Sequence, residues 1–195
     1  MLHSIASGEV MGANLFITKG NEELVYAQAG MADREAEKPI ERNTIFRLYS
    51  MTKPITAVAA MILMERGMLD LYEPVVDILP AFAHQKVERD GKLYTPERSI
   101  LMHDLLAMTS GLVYPEEQTM GGRAVTKVFE EACARLESDH PVSTQEMAEK
   151  IAACPLVFAP GTSWQYVGKP AAGNAAVDRT GRVYLCKFYA EMCGT

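Results

Sequence analysis

Nowhere does the sequence run through the ~18 uninterrupted apolar residues that a membrane-spanning helix requires, so no membrane partner is expected. Met1 to Glu9 also lacks the basic n-region and the long apolar stretch of a secretory signal peptide, which predicts a cytoplasmic chain. Basic residues are scarce: 19 Lys and Arg against 25 Asp and Glu leave a formal charge of −6, and no Lys/Arg cluster stands out. Binding a phosphate backbone needs a basic stripe that displaces counterions, so nucleic acid is not an expected partner. Cysteine is scarce as well. Cys133, Cys154, Cys186 and Cys193 are too few and too irregularly spaced for a disulfide framework or a paired zinc site, and they read as reduced thiols. His84, His103 and His140 share no metal-ligand spacing with one another or with a cysteine, so they read as surface or structural histidines and no metal is expected.

What is present is an ordinary folding composition. Apolar residues make up 48% and charged residues 23% of 195, enough for a core in one domain or slightly more. The 12 methionines suit adaptable packing rather than a cofactor box. Residues 13–18 and 24–29, rich in β-branched and aromatic side chains, flank Gly20-Asn21 and predict an antiparallel hairpin. A hairpin alone is marginal and needs more strands or a helix to cover it.

Ile55, Val58, Ala59, Ile62 and Leu63 recur at helical spacing and predict a helix over 51–66, with that stripe toward a core, Ser50 as N-cap and Gly67 as its stop. Residues 69–80 read as a short apolar connection, 84–98 as a charged loop turning at Asp90-Gly91, and 101–108 as a short helix ending by Gly111. Val125, Val128, Phe129, Ala132, Cys133 and Leu136 form another helical stripe, preceded by a flexible loop at Gly121-Gly122-Arg123. Ser143 with Glu146 makes a capping box that opens a helix toward Ala153. Strands first and helices after give an α+β fold class.

Chemistry concentrates at Ser50, three residues before Lys53 on the first turn of the predicted helix. Residues at i and i+3 share a face, which sets the lysine beside the hydroxyl. A serine hydroxyl is a weak nucleophile until a neighbouring base takes its proton, and a helix N-terminus favours an anionic substrate or intermediate. The same spacing equally describes an N-cap serine beside a solvated lysine.

The surroundings separate the two. Phe46-Arg47-Leu48-Tyr49-Ser50-Met51-Thr52-Lys53-Pro54 resembles the nucleophile segment of the serine β-lactamase-related family, which holds class C β-lactamases, penicillin-binding DD-peptidases and related esterases. Ala29-Gly30-Met31-Ala32-Asp33-Arg34-Glu35, Glu65-Arg66-Gly67-Met68-Leu69-Asp70-Leu71 and His103-Asp104-Leu105-Leu106-Ala107-Met108-Thr109-Ser110-Gly111-Leu112 are similar to further family segments in the same order. Pro160-Gly161-Thr162-Ser163-Trp164-Gln165-Tyr166 is similar to the stretch that carries the family's second motif. The resemblance spans residues 12–166 and implies a partial β-lactamase/transpeptidase-like fold: the hairpin, the nucleophile helix and part of the helical region. It implies a serine hydrolase that cleaves a small-molecule ester or amide through an acyl-enzyme and needs no metal or cofactor. Ser50 would be the nucleophile, Lys53 its activator, and Tyr166 the shuttle that carries the proton to the leaving group. On its own, Tyr166 reads as a packed aromatic whose hydroxyl caps a loop.

Two departures qualify the match. Val167 and Gly168 stand where the family has Ser directly after the tyrosine or Asn two residues after it. Its third motif, a Lys-Thr-Gly or His-x-Gly strand that gives the oxyanion hole a second backbone donor, is not in the sequence. Losing one such donor costs ~100- to 1000-fold in rate. The expected organisation is an incomplete β-lactamase-like domain over 1–167 and an atypical tail over 168–195, left by a truncation or frameshift near Val167; without the remaining strands the hairpin would lack its central partners and the helix over 51–66 would expose part of its apolar face. An inactive remnant or non-catalytic binding module is the alternative to a working hydrolase.

Overall fold

Gly20, at φ +59, and Asn21 turn the chain back on itself, and the runs on either side pair as the sequence predicts. In this computed structural model the described residues are 2–165, together with the backbone of 176–177 and 183–184. They fall into two units, Met1–Arg47 and Leu48–Thr195.

The first unit begins with a short helix, α1 (Leu2–Ala6), followed by β1 (Gly12–Lys19), β2 (Glu22–Asp33) and the two-residue β3 (Lys38–Pro39), in one antiparallel sheet of order β1-β2-β3. Phe16 faces Tyr26 across the ladder, with the rings edge-on at 6.4 Å. The Arg42 guanidinium lies 4.5 Å from the Tyr26 ring centre and 5.5 Å from that of Phe16, and is ion-paired with Glu23. Cross-strand aromatic pairs of this kind fix register. Ile40 is buried against Gly12, where a Cβ would collide with the Ile40 side chain and the Met31 backbone. Leu15, Phe16, Ile17, Leu24 and Val25 are exposed, so this short sheet buries little apolar area within its own unit.

The second unit opens with a 3-10 turn, Tyr49–Met51, that leads into α2 (Thr52–Glu65). Gly67, at φ +65, ends α2: its N–H donates to the Met64 carbonyl and the Met68 N–H to the Leu63 carbonyl, both at 2.9 Å. One expectation for this helix is overturned. Its N-cap is Met51, with no side-chain capping bond, and Ser50 sits one position earlier inside the 3-10 turn. The apolar stripe, expected to be partly exposed where the family's further strands do not cover it, faces outward. Ile55, Val58 and Ile62 are 57%, 59% and 41% exposed, while Thr56 and Ala60 are buried and Leu63 packs at the edge of the core. Periodicity identifies residues that share a face but not the face that meets the core. The small Ala60 side chain permits the closer approach.

Residues 69–80, expected to be a bare connection, contain α3 (Val75–Ile78), and a 3-10 segment follows at Pro80–His84. Residues 84–98, expected to be a loop, contain a hairpin of β4 (Val87–Arg89) and β5 (Lys92–Tyr94). It turns at Asp90 (φ +51) and Gly91 (φ +69), the paired left-handed geometry that suits a two-residue hairpin loop. Next come α4 (Met102–Ala107), α5 (Met120–Ala134) and α6 (Thr144–Ala152). Gly121-Gly122-Arg123 is the first turn of α5 rather than a loop, because the Thr119 hydroxyl accepts the Gly122 N–H at 3.0 Å and caps the helix one turn earlier than the apolar stripe suggests. Ser143 caps α6 by accepting the Glu146 N–H at 3.1 Å, but the Glu146 carboxylate pairs with Arg135 at 2.6 Å.

One core gathers Ala60, Val75, Met102, Leu105, Ala148 and Leu156, and a second gathers Val125, Phe129, Ala132, Met147 and Cys154. Cys154 is a buried free thiol. The last described elements, β6 (Ala176–Val177) and β7 (Val183–Tyr184), pair antiparallel. Among the described residues no helix is long and apolar enough to cross a membrane.

Candidate active site

Ser50 and Lys53 meet because the 3-10 turn runs directly into α2, which keeps positions i and i+3 on one side of the chain. Lys53 Nζ donates to Ser50 Oγ at 3.0 Å, and both residues are half-buried. Tyr49, just before the serine, has φ +47, a conformation that non-glycine residues rarely adopt and that costs of order 1–3 kcal/mol. The turn is closed by the Met51 N–H on the Leu48 carbonyl at 2.9 Å. The serine hydroxyl therefore engages the lysine rather than a backbone N–H. Tyr166 lies outside the described residues.

The chain leading to Tyr166 is described up to Gln165 and runs alongside the turn after α4. The Val157 N–H donates to the Gly111 carbonyl at 2.9 Å, the Gly161 N–H to the Thr109 carbonyl at 2.8 Å and the Gln165 N–H to the Met108 carbonyl at 3.3 Å. Met108 ends α4 in the left-handed conformation, and Gly111 follows at φ +81 with its α-carbon against the Phe158 carbonyl. Beneath this turn lies Asp104, 1% exposed. Its carboxylate accepts from Arg98 Nη1 and Nη2 at 2.6 and 2.9 Å, from the Leu101 N–H at 2.9 Å and from the Thr109 hydroxyl at 3.0 Å. Burial pushes this carboxyl up, but the Arg98 fork and the two other donors outweigh it and hold it below its ordinary value of 3.8.

Arg98, Asp104 and Thr109 carry no role in the sequence reading, which treats 103–112 as a helix exit. A signal was present: Asp104 interrupts the apolar run Ile100-Leu101-Met102 and Leu105-Leu106, and a carboxylate carried into a core needs a charged or donor partner.

Residues 3–167 match the Beta-lactamase family, and the chain belongs to that family. Esterase EstB of Burkholderia gladioli is 35% identical over 157 residues, which cover 80% of this chain and 38% of that protein. The solved structure of EstCE1, a hydrolase with promiscuous acyltransferase activity, superposes with a TM-score of 0.64 at 27% identity, covering 85% of this chain and 41% of that one. Simvastatin synthase (LovD) from Aspergillus terreus superposes with a TM-score of 0.61 at 25% identity and the same coverage. The chain thus spans about two fifths of the length of these relatives. The α+β class and the β-lactamase/transpeptidase-like fold follow from these matches.

Proposed function

We propose that this chain carries the nucleophilic half of a serine hydrolase that transfers the acyl group of a small ester or amide through an acyl-enzyme on Ser50. The observation that carries the reading is the 3.0 Å contact between Lys53 Nζ and Ser50 Oγ. It is short enough for direct proton transfer once the amine is neutral.

In the first step Ser50 Oγ attacks the substrate carbonyl carbon and its proton passes to Lys53 Nζ. The tetrahedral intermediate expels the alcohol or amine, which leaves with a proton delivered through Tyr166. Water then adds to the acyl-enzyme, and its proton returns through the same groups as the acid departs and Ser50 is regenerated. The role of Tyr166 rests on the family resemblance, and the esterase and acyltransferase descriptions of EstB and EstCE1 favour an ester as substrate.

Incubating the chain with a p-nitrophenyl phosphonate, followed by peptide mapping, tests this. Phosphonylation confined to Ser50 and lost in Lys53→Met supports the reading, whereas label on Ser110 or Ser163 overturns it.

A further inference from the structure

A serine placed just before a helix ordinarily takes an extended backbone and lets its hydroxyl accept an N–H two or three residues further on. Ser50 does not. The Thr52 N–H, two positions ahead, is taken by the carbonyls of Tyr49 and Ser50, and no side chain caps the start of the 3-10 turn or of α2. The Ser50 hydroxyl is left to meet Lys53 Nζ at 3.0 Å. The direction of the Tyr49 carbonyl follows from the Tyr49 backbone, whose φ is +47. The turn is closed by the Met51 N–H on the Leu48 carbonyl, which makes Tyr49 its first central residue. A positive φ at that place is ordinarily left to Gly, Asn or Asp. A bulky residue there is an outlier, and such strain persists where the surroundings over-determine it, most often at active sites.

We infer that the left-handed conformation of Tyr49 positions the nucleophile: it sets the carbonyl of residue 49 on the N–H that a capping hydroxyl would otherwise accept, and so keeps Ser50 Oγ on Lys53, an inference that rests on the roles proposed for Ser50 and Lys53. Tyr49 is a positioning residue that acts through its backbone. If the strain were incidental, relieving it would steady the turn and leave the chemistry alone. If it positions Ser50, a residue that excludes positive φ frees the Thr52 N–H, returns the hydroxyl to capping and parts it from the lysine.

The experiment compares Ser50 labelling by a p-nitrophenyl phosphonate across variants of the 195-residue chain. Tyr49→Gly and Tyr49→Asn, which keep the left-handed conformation accessible, are expected to react within about threefold of the parent. Proline holds φ near about −65° and valine's branched side chain resists a positive φ, so Tyr49→Pro and Tyr49→Val should react ~100-fold more slowly, the effect of moving a reacting group by about 1 Å. Both are made so that a failure of one to fold, seen by circular dichroism, leaves the other. In a Lys53→Met background the same two substitutions should slow the reaction no further, because the contact they disturb is already gone.

Parent rates in Tyr49→Pro, or effects that multiply in the double variants, overturn the inference. So does a slow Tyr49→Gly beside an unimpaired Tyr49→Phe, which would assign the effect to the ring. Absence of label on Ser50, or a parent rate in Lys53→Met, instead overturns the proposed function. Carbon-13 NMR of the Lys53 ε-carbon then still decides whether residue 49 governs the contact. Its signal is expected to shift in Tyr49→Pro and to stay in Tyr49→Gly, and an unshifted signal in Tyr49→Pro overturns the inference.

Discussion

Lys53 reaches back along its own turn to hydrogen-bond Ser50, the residue three positions before it, at 3.0 Å. If that contact activates the hydroxyl, its loss should be felt in the chemistry and not in the fold. Lys53→Met is expected to slow acylation by a phosphonate ester or a fluorescent penicillin ~100- to 10,000-fold, with the far-ultraviolet circular dichroism unchanged. Ser50→Ala should abolish it. A Lys53→Met chain that acylates at the parent rate would remove the lysine from the mechanism.

Asp104 gives the fold an acid-sensitive joint. Its carboxyl sits below 3.8 in the native state, so it stabilises the fold above its unfolded value and loses that contribution as pH falls through the lower native one. Asp104→Asn should cost about 2 kcal/mol near pH 6, in keeping with hydrogen bonds to a charged group. The gap should begin to narrow near about pH 4, where the carboxyl of the unfolded parent takes up its proton, and close further as pH falls through the lower native value. Urea midpoints between pH 2 and 6 measure it, and a gap of constant size across that range would mean that the charge of Asp104 is immaterial.

Cys154 presents the opposite case. Burial pushes its thiol up from 9.0 to about 11. The unfolded chain therefore releases this proton before the native one does, and native stability declines as pH rises from about 9 toward 11. Iodoacetamide at pH 8 should leave Cys154 unmodified in the folded protein and alkylate it in urea, as mass spectrometry of the tryptic peptide will record. Rapid native alkylation would show that the thiol is accessible.

Gly111 combines φ +81 with a position where a Cβ would meet the Phe158 carbonyl. Gly111→Ala should destabilise by about 2 kcal/mol, since both the backbone conformation and the contact resist a side chain. Gly91→Ala is the control: it shares the left-handed φ, at +69, but has open space around it. The difference between the two urea midpoints isolates the steric part.

The Ser50–Lys53 contact was legible because it is local: residues three apart on one turn lie on the same side of the chain. The hairpin at Gly20-Asn21 and the stripe of Val125, Phe129 and Ala132 were legible for the same reason. The choice of Thr56 and Ala60 as the face of α2 that meets the core was not. Ile55, Val58 and Ile62 satisfy a helical period as well as any buried stripe, and the choice of face depends on partners distant in sequence. For Asp104 the apolar run around it signals that a carboxylate is carried into the core, but not that Arg98 and Thr109 are its partners, because polar contacts that satisfy a buried carboxylate follow no period.

The ties from Gly161 to Thr109 and from Gln165 to Met108 join positions about fifty residues apart, with α5 and α6 formed in the interval. Closing a loop of that length carries an entropic cost that must be met before its hydrogen bonds are made. These ties are thus non-local contacts, unlike the one between Ser50 and Lys53, and the length of the intervening chain bears on how fast they form more than on how stable they are once made.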